Sequence, residues 1–308
     1  MVRDEVELRN INEPERSSLT LLALLRTARP KQWAKNVLVF AAPGAAGVLR
    51  EATPLWQTLI AFVAFCLAAS GTYFLNDAAD VDSDRRHPRK QRRPVAAGTV
   101  GVTTARMVGA ALLLGGIGLA FAARWQLALT IAGYVALTTL YSITLKHVAV
   151  VDIVTIAAGF VLRAVAGAAA TGVPISNWFF IVASFGSLFM VAGKRHAEGV
   201  EVGVDAEQLR PTLGEYSTSY LAYLRSVSTS AVLVAYCLWA FEKAAEAQST
   251  DPWYQLSILP FVLGVLRYAL LVDQGHGSAP EDVILSDRPL QIIGVLWLVV
   301  FGLGVHVA

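Results

Sequence analysis

Long apolar blocks separated by short polar connections dominate the pattern of this chain. Segments such as 108–123 and 292–305 contain no Asp, Glu, Lys or Arg. An apolar α-helix of about 20 residues spans a hydrocarbon layer of about 30 Å, because each residue adds about 1.5 Å. The pattern therefore predicts an all-α polytopic membrane protein with about nine transmembrane helices, near 34–49, 55–75, 102–122, 125–145, 150–172, 177–193, 217–241, 253–272 and 289–307.

Composition supports this class over a large helical protein with a buried core. Hydrophobic residues make up 55% of the chain and charged residues 16%, whereas a soluble domain has about 25% charged residues. The net charge of +2 does not indicate a nucleic-acid partner. Cys66 and Cys237 both lie within apolar spans, which favours small core residues over a disulfide or a metal-ligand pair.

One membrane domain is predicted for residues 19–308, after a polar N-terminal tail of residues 1–18 with no removable signal peptide. The segment 19–29 is amphipathic, so Leu22 and Leu25 are expected in the interface, with Arg26 and Arg29 in the headgroups. The longest loops on the same side of the membrane lie near 76–101 and 194–216. Functional residues are expected there, because loops carry much of the binding chemistry of proteins.

The distribution of Lys and Arg predicts the orientation in the plasma membrane. With nine spans, the side of the N-terminus and of both long loops carries nearly all the basic residues. The opposite side carries only Arg50, Arg124 and Lys243. Since cytoplasmic loops are enriched in Lys and Arg, the long loops are predicted to be cytoplasmic and the C-terminus external.

A dense group of aspartates follows the second predicted span. If the helix continues, Asn76, Asp80 and Asp84 share one face at i, i+4 and i+8. Such oxygen donors suit Mg²⁺, which binds one or two carboxylates together with substrate phosphates and water. The metal and a polyphosphate would use both the acids and the basic run that follows, although part of that run also fits ordinary positive-inside topology. The run contains Arg85, Arg86, Arg89, Lys90, Arg92 and Arg93.

This segment resembles the first aspartate-rich motif of the UbiA superfamily of intramembrane transferases. The resemblance to that superfamily extends over nearly the whole chain. The resemblance implies a UbiA-like helical bundle with catalytic aspartates and substrate-binding residues at the end of the second span. The motif Asn-Asp-x-x-Asp-x-x-x-Asp is present as Asn76, Asp77, Asp80 and Asp84, and the continuation as Lys90, Arg93-Pro94 and Gly98. The resemblance implies that Asp77, Asp80 and Asp84 are the catalytic residues.

The loop after the sixth span departs from the prenyltransferases of that superfamily. Those enzymes carry a second aspartate-rich motif there, whereas this chain has Lys194, Arg195 and Glu198. The chain is instead similar to an actinobacterial branch that transfers ribose 5-phosphate from phosphoribosyl pyrophosphate to decaprenyl phosphate, for cell-wall arabinan. The segments that agree are 29–36, 162–164, 280–282 and 287–288. The resemblance implies Mg²⁺ on the aspartates and a donor phosphate on Lys194 and Arg195, with Glu198 orienting these cations or binding metal.

Other candidates have weaker patterns. Tyr141 and Lys146 close the fourth span, and Lys146 is expected either on a substrate phosphate or as an interfacial anchor. Lys31 and Lys35, at i and i+4, are expected at the lipid phosphate or at headgroups.

A deep basic residue is a further candidate. Arg163 lies within the fifth span, on the same face as Asp152 and about 16 Å deeper. An intramembrane Arg favours a functional site, and the alternative is a structural ion pair between helices.

Two other functions, prenyl transfer and transport, agree less well with the sequence. A prenyltransferase on the same fold is disfavoured by the two cations at 194–195, which would repel a second Mg²⁺. A transporter is disfavoured because the charged residues gather at one face, without paired broken spans. The small residues of the fifth span permit close helix packing, with a helix of the same chain or of a second copy in a homo-oligomer.

The orientation is open to a direct test. A tag placed after Ala308 is expected to be accessible from outside the cell, and a tag before Met1 to be protected until the membrane is opened. Protease protection or impermeant labelling of the two tagged proteins measures this. Both tags on one side would mean that a span has been miscounted.

Overall fold

The computed structural model describes residues 13–88, 90–202, 212–247, 251–276 and 280–307. These ranges are helical and contain no strand. The α-helices are α1 (Glu13–Ala28), α2 (Ala41–Ala45), α3 (Ala52–Ala79), α4 (Val81–Arg86), α5 (Val102–Ala120), α6 (Trp125–Ile143), α7 (Val151–Thr171), α8 (Asn177–Val202), α9 (Thr218–Glu246), α10 (Trp253–Leu256), α11 (Ile258–Leu271), α12 (Pro280–Ser286) and α13 (Arg288–Val307). Shorter 3₁₀-helices and one π-helical turn connect them, at Pro30–Phe40, Val48–Arg50, Lys90–Arg92, Leu145–His147, Leu213–Glu215 and Val272–His276.

The prediction of an all-α, many-span membrane protein is confirmed. Within the described ranges, eight helices are long and apolar enough to cross a membrane: α3, α5, α6, α7, α8, α9, the α10–α11 segment and α13. The ninth predicted span, 34–49, differs in form because it consists of the 3₁₀-helix Pro30–Phe40 and the short α2. At about 2.0 Å per residue the 3₁₀-helix is roughly 22 Å long, and α2 adds about 7 Å.

The first described residues form a helix that precedes the membrane segments. Helix α1 begins at Glu13, within the stretch predicted as a polar tail, while residues 1–12 lie outside the described residues. Leu22 and Leu25 are exposed, as an interfacial segment requires, whereas Arg29 turns inward instead of towards the headgroups.

Helices α3 and α7 form the centre of the bundle, and small residues allow them to be enclosed. Of an 18-residue apolar stretch in each of these two helices, 61% is buried, against 6% for the corresponding stretch of α13. Helix α5 lies directly against α3, since a Cβ added at Gly71 would come within 2.8 Å of the Gly109 carbonyl oxygen. The buried side chains between them are mostly alanines. Membrane helices approach closely through such residues because packing, not water exclusion, holds them together.

The 3₁₀-helix Pro30–Phe40 packs tightly against α7 at Gly167. A Cβ added at Gly167 would stand 1.8 Å from the Val39 carbonyl oxygen and 2.9 Å from Cδ of Pro43. No side chain fits there without moving backbone. Gly167 therefore sets how closely the N-terminal segment approaches the central helix.

Gly167→Ala should destabilise the protein by about 1–3 kcal/mol, the usual cost of overpacking a filled core, and should lower the melting temperature in detergent. Gly133→Ala is the matched control, because a Cβ at Gly133 meets nothing within 4 Å. That variant should be neutral or more stable, since Ala is favoured over Gly in a helix by about 1 kcal/mol. Equal melting temperatures for the two variants would contradict the close contact.

Candidate active site

The aspartate motif lies where α3 ends and α4 begins. Asp80 interrupts the helix, with φ −91° and ψ 8°, yet the backbone bonds continue from Asp80 N to Asn76 O (2.9 Å) and from Asp84 N to Asp80 O (2.8 Å). The spacing of one helical turn is thus kept from Asn76 to Asp84, with a bend at its middle residue.

Two arginines hold two of the four motif residues. Arg29 Nη2 lies 2.6 Å from Asp77 Oδ1, and Arg93 Nη1 lies 3.1 Å from the same oxygen. Arg93 Nη1 also lies 2.7 Å from Asp84 Oδ2. Both carboxylates are almost fully buried, with 2% of each side chain exposed. The buried negative charge is therefore paired at once with two guanidinium groups.

Arg29 reaches this position through an unusual backbone. Its φ of 53° places it in the left-handed region, which is uncommon for a residue other than glycine, and Pro30 follows it. Its guanidinium also stacks over the Tyr73 ring, 4.6 Å from the centroid. The strained residue carries the N-terminal segment to the end of α3.

The side-chain oxygens of Asn76, Asp80 and Asp84 are suitable ligands for a hard cation, but they do not form a complete coordination shell. Within the described residues, the side chains of Asn76 and Asp80 form no hydrogen bond or ion pair, and Asp84 uses only Oδ2. No group of three acidic, His or Cys side chains in those ranges is arranged as a complete metal site. A Mg²⁺ that takes one or two carboxylates and completes its shell with substrate phosphate and water needs no such group.

A second charged cluster lies at the same end of the bundle, where α7 begins and α8 approaches its end. Arg195 is fully buried, with Nη1 2.7 Å from Glu198 Oε2 and Nε 3.3 Å from Asp152 Oδ2. Its Nη2 has no hydrogen-bond partner within the described residues. Lys194 Nζ lies 3.9 Å from Glu198 Oε1. Glu198 thus touches both cations, which is the geometry of an orienting residue.

Tyr216 and Thr212 connect this cluster to the segment after α8. The Tyr216 hydroxyl donates to Asp152 Oδ1, and Thr212 Oγ1 lies 3.1 Å from Asp152 Oδ2. Burial, together with the bond to Asp152, raises the pKa of the Tyr216 hydroxyl, so it stays protonated and continues to donate. The same oxygen accepts from the Val150 amide at 2.6 Å. Val150 has φ 68°, a strained conformation for a β-branched residue.

Arg163 is buried among neutral groups. Its Nε lies 2.8 Å from Asn36 Oδ1, its Nη1 2.7 Å from Gly159 O and its Nη2 2.9 Å from the Tyr134 hydroxyl. No carboxylate pairs with it in the described part of the chain, and Asp152 pairs with Arg195 instead. The predicted alternative of an ion pair through Arg163 is therefore not formed there.

The other predicted residues lie at the same end. Lys90 begins a 3₁₀ turn in the loop before Arg93. Tyr141 lies in the last turn of α6, near Arg195, and Lys146 follows in the next 3₁₀ turn. Lys31 and Lys35 are not aligned as an α-helix would align them, because residues four apart in a 3₁₀-helix differ by about 120°. Lys31 is exposed and Lys35 bonds to Gln32.

An apolar cavity of about 500 Å³ extends from this end towards the opposite face, among α7, α8, α9, α11 and α13. Its polar lining residues are Ser187, Thr229 and Tyr268. Met190 lines it one helical turn before Lys194 on α8. Helix α8 thus carries both the cluster around Arg195 and part of the wall of the apolar cavity.

Sequence reasoning missed several members of these clusters as site residues, namely Arg29, Asn36, Tyr134, Thr212 and Tyr216. Arg29 had a signal, since an Arg before Pro is biased away from the α-helical region and the segment 29–36 carried the family resemblance. Asn36 belongs to the same segment. Asp152 was noted only because it shares a face of the fifth span with Arg163. Tyr134, Thr212 and Tyr216 have no local pattern, because their partners lie 29 to 64 positions away along the chain.

The chain is similar to known membrane proteins over most of its length. The chain is 43% identical over 289 residues to a decaprenyl-phosphate phosphoribosyltransferase of Corynebacterium glutamicum, covering 92% of this chain and 87% of that protein. It is 41% identical over 286 residues to the enzyme of the same name from Mycobacterium tuberculosis, covering 92% and 94%. A UbiA homolog from Archaeoglobus fulgidus, solved bound to GPP and Mg²⁺, has the same fold, with a TM-score of 0.69 at 18% identity and coverage of 93% and 100%. The family resemblance predicted from the sequence is confirmed: residues 37–286 match the UbiA prenyltransferase family, and the chain belongs to that family.

Proposed function

We propose that this chain transfers the 5-phosphoribosyl group of phosphoribosyl pyrophosphate to a polyprenyl phosphate such as decaprenyl phosphate and releases pyrophosphate. The observation that carries the proposal is its similarity, over most of its length, to the decaprenyl-phosphate phosphoribosyltransferases. The active site faces the cytoplasm, where the basic loops are predicted. The product would serve as a precursor for cell-wall arabinan.

The aspartate motif is the proposed site of the leaving pyrophosphate. Asn76, Asp80 and Asp84 would hold Mg²⁺, which supplies positive charge for that group when bound. Asp77 keeps Arg29 and Arg93 beside the metal-binding acids. Lys90 extends the positive surface from the adjoining loop. The end of α3, the preceding Arg29 and the loop that carries Lys90 and Arg93 therefore bring together the acids proposed to bind the metal and the cations that balance them.

The second cluster is the proposed site of the donor's 5-phosphate. Arg195 is held at two nitrogens by Asp152 and Glu198, which leaves the buried Nη2 with hydrogens to donate. A buried donor without a partner costs about 1–3 kcal/mol, and a phosphate oxygen would remove that cost. Lys194 adds a second charge from the same turn. Tyr141 and Lys146, from the end of α6, are proposed to complete the phosphate surroundings.

The acceptor brings its own nucleophile. A phosphate monoester is largely ionised near pH 7, because its second pKa is about 6, so no strong general base is required. A lipid phosphate oxygen bonds to C1 of the ribose as the bond from C1 to the pyrophosphate oxygen breaks. The electron pair leaves with pyrophosphate, and the configuration at C1 inverts. The apolar cavity receives the beginning of the isoprenoid chain.

Three basic residues complete the proposed assignment. Lys31 and Lys35 lie in the N-terminal segment, where they would meet the lipid phosphate. Arg163 has three nitrogens engaged by neutral partners, so it would add positive potential beneath the site instead of a direct contact. Its charge is expected to favour the polyanionic donor.

The proposal is tested by incubating the purified protein with labelled phosphoribosyl pyrophosphate, Mg²⁺ and a polyprenyl phosphate. Label is expected in the lipid fraction, in amounts that depend on both substrates and on the metal. Efficient transfer from a prenyl pyrophosphate to an aromatic acceptor, with no phosphoribosyl transfer, would instead establish a prenyltransferase.

Asp80→Asn should lower turnover at millimolar Mg²⁺ by about a hundredfold or more, because a metal-bound charge worth several kcal/mol is lost. Asp84→Asn should act likewise, with some loss of stability through Arg93. Asp82→Asn is the matched control, since the Asp82 side chain is 85% exposed and, among the residues that the structure describes, pairs only with Arg85, at 3.6 Å. Near-normal turnover of the Asp80 and Asp84 variants would exclude the metal assignment.

Arg195→Lys should raise the KM for phosphoribosyl pyrophosphate about tenfold, since losing a charge-assisted hydrogen bond costs about 1.5–3 kcal/mol. The KM for the lipid should change little. The Lys variant is preferred to Ala because it leaves Asp152 a cationic partner. Arg267→Lys, which alters the pair with Asp287, is the control. An unchanged donor KM together with a lower melting temperature would show that Arg195 only stabilises the helix end.

A further inference from the structure

A second cavity begins where the apolar cavity ends, on the other side of one phenylalanine. It has a volume of about 210 Å³ and is lined by small residues of α2, the connection 173–176, Trp239 and Lys243. Within the described residues, Phe179 is the only residue that lines both cavities. Phe179 therefore borders both spaces.

The second cavity lies at the end of the bundle opposite the charged clusters. Phe179 is in the first turn of α8, roughly 22 Å along the helix axis from Lys194 at 1.5 Å per residue. The connection 173–176 joins the end of α7 to the start of α8, whereas Asp152 lies at the beginning of α7. The two cavities thus line up along α8, from the proposed reaction site to the far membrane face.

The size of the first cavity limits what it holds. A space of about 500 Å³ is typical of a pocket for a drug-sized ligand, and a long polyprenyl chain is much larger. Most of the chain must leave the cavity, either sideways into the bilayer or onward past Phe179. The onward path leads to another space whose walls are mostly apolar, at Ala42, Ala45 and Trp239. A chain end would gain there the contacts that an empty apolar space lacks.

We infer, on the basis of the proposed function, that the acceptor's isoprenoid chain passes Phe179 and that the segment beyond it lies in the second cavity. Phe179 is then a specificity-determining residue. Acceptors that end before it fit the first cavity alone, and longer acceptors require its side chain to move aside. Its ring is the boundary at which acceptor length begins to matter.

Photolabelling of the unaltered protein tests the path without relying on turnover. Two polyprenyl phosphates, one short and one long, carry a photoreactive group at the end remote from the phosphate. The long probe should label peptides containing residues 42–46 and 173–176, and the short probe should label the walls of the first cavity, at Val182 and Val265. A long probe that labels only lipid or the lipid-facing surface would overturn the inference.

The role of the Phe179 side chain in acceptor-length specificity is tested by Phe179→Trp, with Phe180→Trp as the control. Phe180 is the next residue of α8, is 51% exposed and lines neither cavity. Phe179→Trp should lower the ratio of kcat/KM for the long acceptor to that for the short acceptor about tenfold, as excluding two methylene groups from an apolar site would. The ratio should be unchanged in Phe180→Trp. Equal ratios in the two variants would show that the chain leaves sideways.

These results separate the two proposals. If the long probe labels the second cavity but no phosphoribosyl transfer to any polyprenyl phosphate occurs, the path is supported and the proposed activity is wrong. If transfer occurs with both acceptors but the second cavity is never labelled, the proposed activity is supported and the path is wrong.

Discussion

The need to pair buried charges organises the charged end of this protein. Taking one ion out of water costs several kcal/mol even after the surroundings relax, and the buried carboxylates here recover part of that cost from guanidinium groups. Asp77 and Asp84 lie against Arg93, and Asp152 lies against Arg195. Removing Arg93, for example, would leave the buried Asp84 without a cationic partner in the described part of the chain. The pairs therefore determine which segments must meet at the membrane edge.

The same pairs explain why distant parts of the chain converge. Arg29 lies before the first membrane segment, Asp77 ends α3, and Arg93 lies in the following loop, so the shared carboxylate joins three separate segments. In the second cluster, Asp152 at the start of α7 joins the end of α8 through Arg195 and the segment after it through Thr212 and Tyr216. The strained backbones of Arg29 and Val150 lie within these junctions, where neighbouring contacts hold conformations that are otherwise unfavourable.

Local pattern was sufficient for much of the fold and for part of the site. The membrane helices follow from uninterrupted apolar runs, because the bilayer demands them, and the turn-spaced face of Asn76, Asp80 and Asp84 follows from helical geometry. The 3₁₀ form of 30–40 was not predictable, since an apolar run does not distinguish 3.0 from 3.6 residues per turn over so short a length. The partner of Asp152 was also not predictable. Arg163 shares its helix face but lies about 16 Å away along α7, and Arg195 reaches Asp152 only through the tertiary packing of α8.

Helix α8 connects the two kinds of chemistry required of such an enzyme. Its end carries Lys194, Arg195 and Glu198 in a polar environment, while the preceding turns line an apolar cavity. A rigid helix fixes the distance between an anion held at its end and a hydrocarbon chain held along its side. If Lys194 and Arg195 bind the donor as proposed, the phosphate of a lipid acceptor lies near the bound donor whenever its chain enters the cavity. Such preorganisation lowers the entropic cost of bringing two substrates together, and it requires no residue of the chain to act as a nucleophile.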